Sequence, residues 1–382
     1  MILAGPQLGV ESWMYSILVC CVIALYMYLL VPIVKRTFQE KHPNRYSNVV
    51  LIVVLGLIAL FYILPYSQFG LYVLYPVSYW DVVFVAAWGL ITLIGAWTLK
   101  PSTERPHNLM LQRGMECTDK NTIDTLNFSY SGEVRRKALH IMALLTLFAF
   151  SVGPMIIWLV NDHAYASMGA LNTPEQLASV AWARTQNIDV QGIMAFNVGI
   201  FGAFCVQADC EILRLRYSRI NFALKRTLQK TRRASEARSF GAHMSMLPGF
   251  LFGAIILTYW PTYFHEGVMA IFALVTVSTL GDLMAAIIGR RYGKHKWGWC
   301  KGKSKEGTLA GCLASFFGAL IFVGPILAAA SVGIFIFTDL VMGNLRISDN
   351  LMTPILLGIT YRLLIFWCMP MISGFWYVPE FF

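Results

Sequence analysis

Charged side chains are scarce in this sequence. They make up 13% of 382 residues, against 57% hydrophobic, and the mean hydropathy is +0.60. Soluble domains carry about 25% charged residues, so this balance excludes a soluble globular chain and predicts an all-α, polytopic integral membrane protein. Cysteine is present at eight positions (Cys20, Cys21, Cys117, Cys205, Cys210, Cys300, Cys312 and Cys368) but forms no CxxC or Cys/His cluster. Lying mostly in apolar runs, these read as core thiols and exclude both a disulfide framework and a zinc site. The first twelve residues lack Lys and Arg, and no small-residue cleavage site follows, so no cleavable signal peptide is expected. There is no GxxxxGK[ST] loop, which removes a P-loop ATPase. No internal repeat, low-complexity tract or arginine-rich tail exists either, and nucleic acid is not an expected partner.

What the chain does have is apolar runs of spanning length. They cover about 13–34, 48–64, 82–99, 138–160, 191–213, 242–260, 267–288, 309–323, 326–341 and 352–371. Most reach the roughly 17–25 residues that cross hydrocarbon as a helix. Residues 309–341 are too long for one span, and Gly324-Pro325 is the natural break. Ten spans with both termini outside leave stretches 35–47, 100–137, 214–240, 290–307 and 342–350 on the inner side. Those stretches hold 28 of the 30 Lys and Arg, with only Arg184 and Arg362 elsewhere. The positive-inside rule predicts this bias. The net charge of +10 is accordingly assigned to orientation and to anionic lipid headgroups. The expected organisation is a three-helix segment over 1–99, a polar inner loop over 100–137 and a catalytic membrane domain over 130–371.

Four polar clusters fall on the inner side. In Glu133-Val-Arg-Arg136-Lys137-Ala-Leu-His140, Glu133, Lys137 and His140 share a helix face, with Arg136 beside them. A positive anchor accounts for the cations but not for the histidine one turn deeper. The second runs from Asp209 through Glu211, Arg214 and Arg216 into a basic amphipathic stretch suited to resting on headgroups. The third spans Gly281 to Thr308. Asp282 lies among Leu280, Leu283 and Met284, where an ionisable group has a functional role by default. Gly289 and Gly293 follow at helical spacing, then a lysine-rich loop with Lys294 and Lys303-Ser304-Lys305-Glu306-Gly307-Thr308. Aspartate suits Mg²⁺ or a proton, glycines admit phosphate to the backbone, and lysines neutralise it. The fourth is Asp339 with Ser348-Asp349-Asn350, where Asp349 is either a helix cap or a metal ligand.

ExxRKxxH at Glu133–His140 and DxxAxxxGxxxG…KSxEGT at Asp282–Thr308 together resemble the CTP-dependent lipid kinases. These include dolichol kinase, phytol kinase and CTP-dependent diacylglycerol kinase, and are distantly similar to phosphatidate cytidylyltransferase. The likeness covers about residues 130–360 and none of the first three spans. It implies that Arg136 and Lys137 contact nucleotide phosphates, that Asp282 is essential and binds Mg²⁺, and that Gly289 lines the nucleotide site. It also implies that Lys303, Ser304, Glu306 and Thr308 form the second nucleotide loop. The chain departs from the family at Ser348-Asp349, where a double acid is usual, and at Asp339, where a glutamate is common. The expected activity is phosphoryl transfer from CTP to a membrane lipid alcohol: a polyprenol, a phytol-like isoprenoid or diacylglycerol. Asp282, His140 and Glu133 are the expected catalytic groups. Arg136, Lys137, Gly289, Gly293, Lys294, Lys303, Ser304, Glu306, Thr308 and Asn350 are the expected nucleotide contacts, and Asp282 and Asp349 the expected metal ligands. A cytidylyltransferase and a lipid flippase are the rival readings. The expected location is a bacterial inner membrane, with the site on the cytoplasmic side.

Overall fold

The computed structural model describes residues 10–63, 79–99, 137, 141, 145, 199–217, 239–258, 264–300, 302–345 and 347–368. Among them the chain is helical, and its one β-type pairing is an isolated bridge between Lys296 and Ser304. In chain order the helices are α1 (Val10–Gln39), α2 (Arg45–Ile63), α3 (Tyr79–Thr98), α4 (199–216), α5 (Ala242–Thr258) and α6 (Phe264–Thr276). A π-helical turn, Val277–Gly281, joins α6 to α7 (Asp282–Arg291). Then come α8 (Lys305–Phe337), a second π turn (Thr338–Met342), the short α9 (Gly343–Leu345) and α10 (Asp349–Cys368).

Among the described residues, five segments are long and apolar enough to cross a membrane: Met14–Gln39, Arg45–Tyr62, Met269–Arg291, Lys305–Met342 and Asp349–Trp367. Four of them each coincide with one run read from the sequence, and Lys305–Met342 covers the two runs expected over 309–323 and 326–341. Apart from positions 141 and 145, the run over 138–160 lies outside the described residues, as does the first part of 191–213. The expected break in the longest run is present. Gly324 takes φ 72° and ψ 176°, a left-handed region where a side chain is strained, and Pro325 then offers no N–H to the turn before it. That helix also starts earlier than its apolar content suggests. Ser304 caps it, its side-chain oxygen accepting the Gly307 N–H at 3.1 Å, so Lys305-Glu306-Gly307-Thr308 is the first helical turn and not loop.

A single apolar core runs from Tyr15, Val19 and Ile23 of α1 through Leu51 and Leu55 of α2 and Phe201 and Phe204 of α4 to Phe250 of α5 and Leu357 of α10. Two glycine crossings set the helix positions that matter for the site. At α5–α10, a Cβ on Gly253 would lie 2.7 Å from the Pro354 carbonyl oxygen, and one on Gly358 2.8 Å from the Gly253 Cα. At α7–α8, a Cβ on Gly307 would lie 2.8 Å from the Gly289 Cα. Without a hydrophobic drive between helices in lipid, such small-residue contacts do much of the packing. Gly253→Ala should therefore lower stability by about 1–3 kcal/mol, because its new methyl group meets backbone that cannot swing aside. Thermal unfolding of the purified protein in detergent checks it.

Candidate functional site

The third and fourth sequence clusters converge with Lys137 at a small cleft between α6–α7, α8 and α10. The cleft is lined by Ser278, Asp282, Phe335, Thr338, Asp339, Asp349, Asn350 and Thr353. Asp282 opens α7 directly after one π turn, and Asp339 sits inside the other. Widened turns of this kind are frequent at functional sites, since the extra residue re-aims the side chains beside it.

Two lysine–carboxylate pairs dominate the geometry. The Lys137 ammonium is hydrogen-bonded to Asp282 Oδ2, with the lysine side chain 2% exposed and the aspartate 21%. Lys303 Nζ lies 2.5 Å from Asp339 Oδ1 and 3.5 Å from Asp349 Oδ2, between two carboxylates contributed by different elements. Asp339 is 4% exposed and also accepts a hydrogen bond from the Thr308 hydroxyl at 3.2 Å. Thr308 in turn accepts from Trp297 Nε1 at 3.2 Å, which ties the lysine loop to the first turn of α8. Burial draws the Lys303 ammonium toward its neutral form. The Asp339, Asp349 and Asp282 carboxylates outweigh that and hold it above the ordinary lysine value.

The loop carrying these groups is folded. Lys305 N donates to the His295 carbonyl, Trp297 N to that of Lys303 and Lys303 N to that of Cys300. Glu306 accepts from the His295 backbone N–H at 3.1 Å and pairs with its Nδ1 at 2.6 Å. Trp297 and Trp299 stand edge to face at 6.3 Å, with the Lys305 ammonium 5.7 Å from the Trp297 ring. Lys294, Lys296 and Trp299 are exposed.

Several residues expected at a nucleotide thus have structural partners. Gly289 packs against Gly307 and Ser304, and a Cβ on Gly293 would collide with the Gly289 carbonyl and Ser304 Oγ. These glycines serve helix approach. Ser304 is a helix cap and Glu306 a loop brace. Asp282, Lys137, Lys303, Thr308, Asp349 and Asn350 do come together. Glu133, Arg136 and His140 lie outside the described residues. The cluster at Asp209 is elsewhere: Asp209 accepts from Trp88 Nε1 at 3.0 Å and from Thr92 at 3.3 Å, linking α3 to α4. Glu211 pairs with Arg214 at 2.6 Å, and Arg214 reaches the Ser239 carbonyl. This second cluster fastens the N-terminal helices to the rest.

The sequence groups Asp339 with Asp349 and Asn350 in the fourth cluster but carries no sign of its pairing with Lys303. Ser278 and Thr338 carried no signal, because hydroxyl residues are ordinary in spanning helices. Among the described residues no three His, Cys, Asp or Glu side chains are grouped closely enough to hold a metal by themselves.

The fold defines a class: an all-helical chain, among its described residues, with several helices of membrane-spanning length and one polar centre of aspartates and lysines. No family model, curated protein or solved structure matches it.

Proposed function

We propose that the chain transfers the γ-phosphoryl group of CTP to the hydroxyl of a membrane lipid alcohol. The observation that carries this reading is the convergence of Asp282, Asp339 and Asp349 with Lys137 and Lys303 at one cleft. Phosphoryl transfer asks for positioning and charge neutralisation more than for covalent chemistry. In the resting protein the lysines and carboxylates neutralise one another. A triphosphate entering the cleft would draw Lys137 and Lys303 to its oxygens and leave the carboxylates for a cation or a proton.

Mg²⁺ is usually held by one or two carboxylates together with substrate phosphates. Asp282 and Asp349 line the same cleft, and the Lys303 ammonium already occupies a place between two carboxylates where positive charge is stabilised. The donor set fits a Mg²⁺ that completes its shell with phosphate oxygens. When bound, it would offset the charge on the β- and γ-phosphates. The alcohol oxygen would form a bond to the γ-phosphorus while the bond to the bridging oxygen breaks, and CDP departs with that electron pair. The alcohol proton would pass to Asp282, or to Glu133 or His140. Lys303 and Lys137 would hold the phosphates in line.

The preference for CTP rests on the sequence resemblance alone. Analysis of the soluble products tests the reading: CDP is expected, formed only when a lipid alcohol is present. Pyrophosphate with a CDP-lipid would make the chain a cytidylyltransferase. No nucleotide turnover with any lipid would turn attention to transport.

A further inference from the structure

The cleft is lined by groups of two kinds. Some are charged: Asp282, Asp339 and Asp349, with the lysines that reach them. The others are neutral: Ser278, Phe335, Thr338, Asn350 and Thr353. Among these the Thr353 hydroxyl donates to Thr338 Oγ1 at 2.9 Å, and Thr338 donates to the Ile334 carbonyl at 2.9 Å. Both protons are therefore committed. Ser278 differs. It is 6% exposed, and its Oγ has no hydrogen-bond partner among the described residues.

Among the described residues Ser315 Oγ is likewise buried without a partner, but Ser315 does not line the cleft. Thr258, Thr279, Ser331 and Thr338 each donate to the carbonyl four residues back, the common resort of a hydroxyl in an apolar helix. Ser278, inside the π turn and four residues before Asp282, does not. A buried hydroxyl without a partner is costly, and a site that keeps one is suited to a ligand that supplies it.

We propose that Ser278 is the docking point for the acceptor alcohol, its Oγ exchanging a hydrogen bond with the lipid hydroxyl. The alcohol's first carbons would lie against Phe335, and its oxygen would face the carboxylates and the γ-phosphate held by the lysines. A neutral hydroxyl on an apolar chain matches Ser278 and Phe335, whereas a polyanion matches Lys137 and Lys303. The inference rests on the lipid-kinase reading and adds the acceptor's subsite to it.

The test uses Ser278→Ala in the full-length protein in detergent. A radiolabelled isoprenoid alcohol is bound without nucleotide, CTP is bound without alcohol, and both KM values are measured. The alcohol dissociation constant and KM should rise about tenfold, CTP affinity should stay within about twofold, and Ser278→Cys should recover part of the loss. Unchanged alcohol affinity, or an equal loss for CTP, would overturn the assignment. The two readings fail separately. A wild type that binds alcohol through Ser278 but transfers no phosphoryl group loses the kinase function and keeps the dock. One that transfers phosphoryl normally with Ser278→Ala keeps the function and loses the dock.

Discussion

Asp282→Asn is expected to lower turnover by about a thousandfold, the scale seen when one preorganised charge-stabilising group is removed from an active site. The substitution keeps shape, and the amide oxygen still accepts a hydrogen bond from the Lys137 ammonium, so the helix packing around the π turn should persist. What disappears is the negative charge at the mouth of α7, on a carboxylate that both lines the cleft and pairs with Lys137. The loss should fall on kcat more than on KM for either substrate, because the missing interaction belongs to the transition state. Circular dichroism and thermal unfolding in detergent distinguish this from collapse. A folded variant with near-normal turnover would remove Asp282 from the mechanism.

The second large effect separates stability from function at Lys303. Its side chain is 31% exposed, but its partner Asp339 is 4% exposed. Lys303→Met therefore strands a buried carboxylate with, among the described residues, the Thr308 hydroxyl alone to meet it, at a cost of about 3 kcal/mol. Adding Asp339→Asn removes the stranded charge and should recover most of that stability. Activity should not return, since the lysine that would neutralise the triphosphate is still missing. Denaturation and turnover of both single variants and the double variant form the cycle that tests this. If activity returned along with stability, Lys303 would be a structural group only.

The five membrane-length apolar helices among the described residues were legible in the sequence, because hydropathy over the length of a span is a local signal. So was the break at Gly324-Pro325, where two residues suffice to interrupt a helix. Asp282 and Lys303 stood out because ionisable groups are rare near apolar runs. Their pairing with Lys137 and Asp339 was not legible, because Lys137–Asp282 and Lys303–Asp339 are closed by tertiary packing across 145 and 36 residues, and no spacing rule encodes such pairs. Glycine was ambiguous for a physical reason. Gly289 and Gly293 are needed wherever backbone approaches something closely, and the partner here is α8 and its cap. Helical periodicity also assumes α geometry, so the two π turns that aim Asp282 and Asp339 were invisible to it.

The most direct measurement is the fate of doubly labelled CTP. Purified protein in detergent is given Mg²⁺, CTP labelled on the γ-phosphate and on the cytosine ring, and a panel of isoprenoid alcohols, diacylglycerol and phosphatidate. The account predicts γ-label on an alcohol, no ring label in any lipid, and loss of transfer in Asp282→Asn. Ring label in the lipid fraction, or γ-transfer that Asp282→Asn leaves intact, would contradict it.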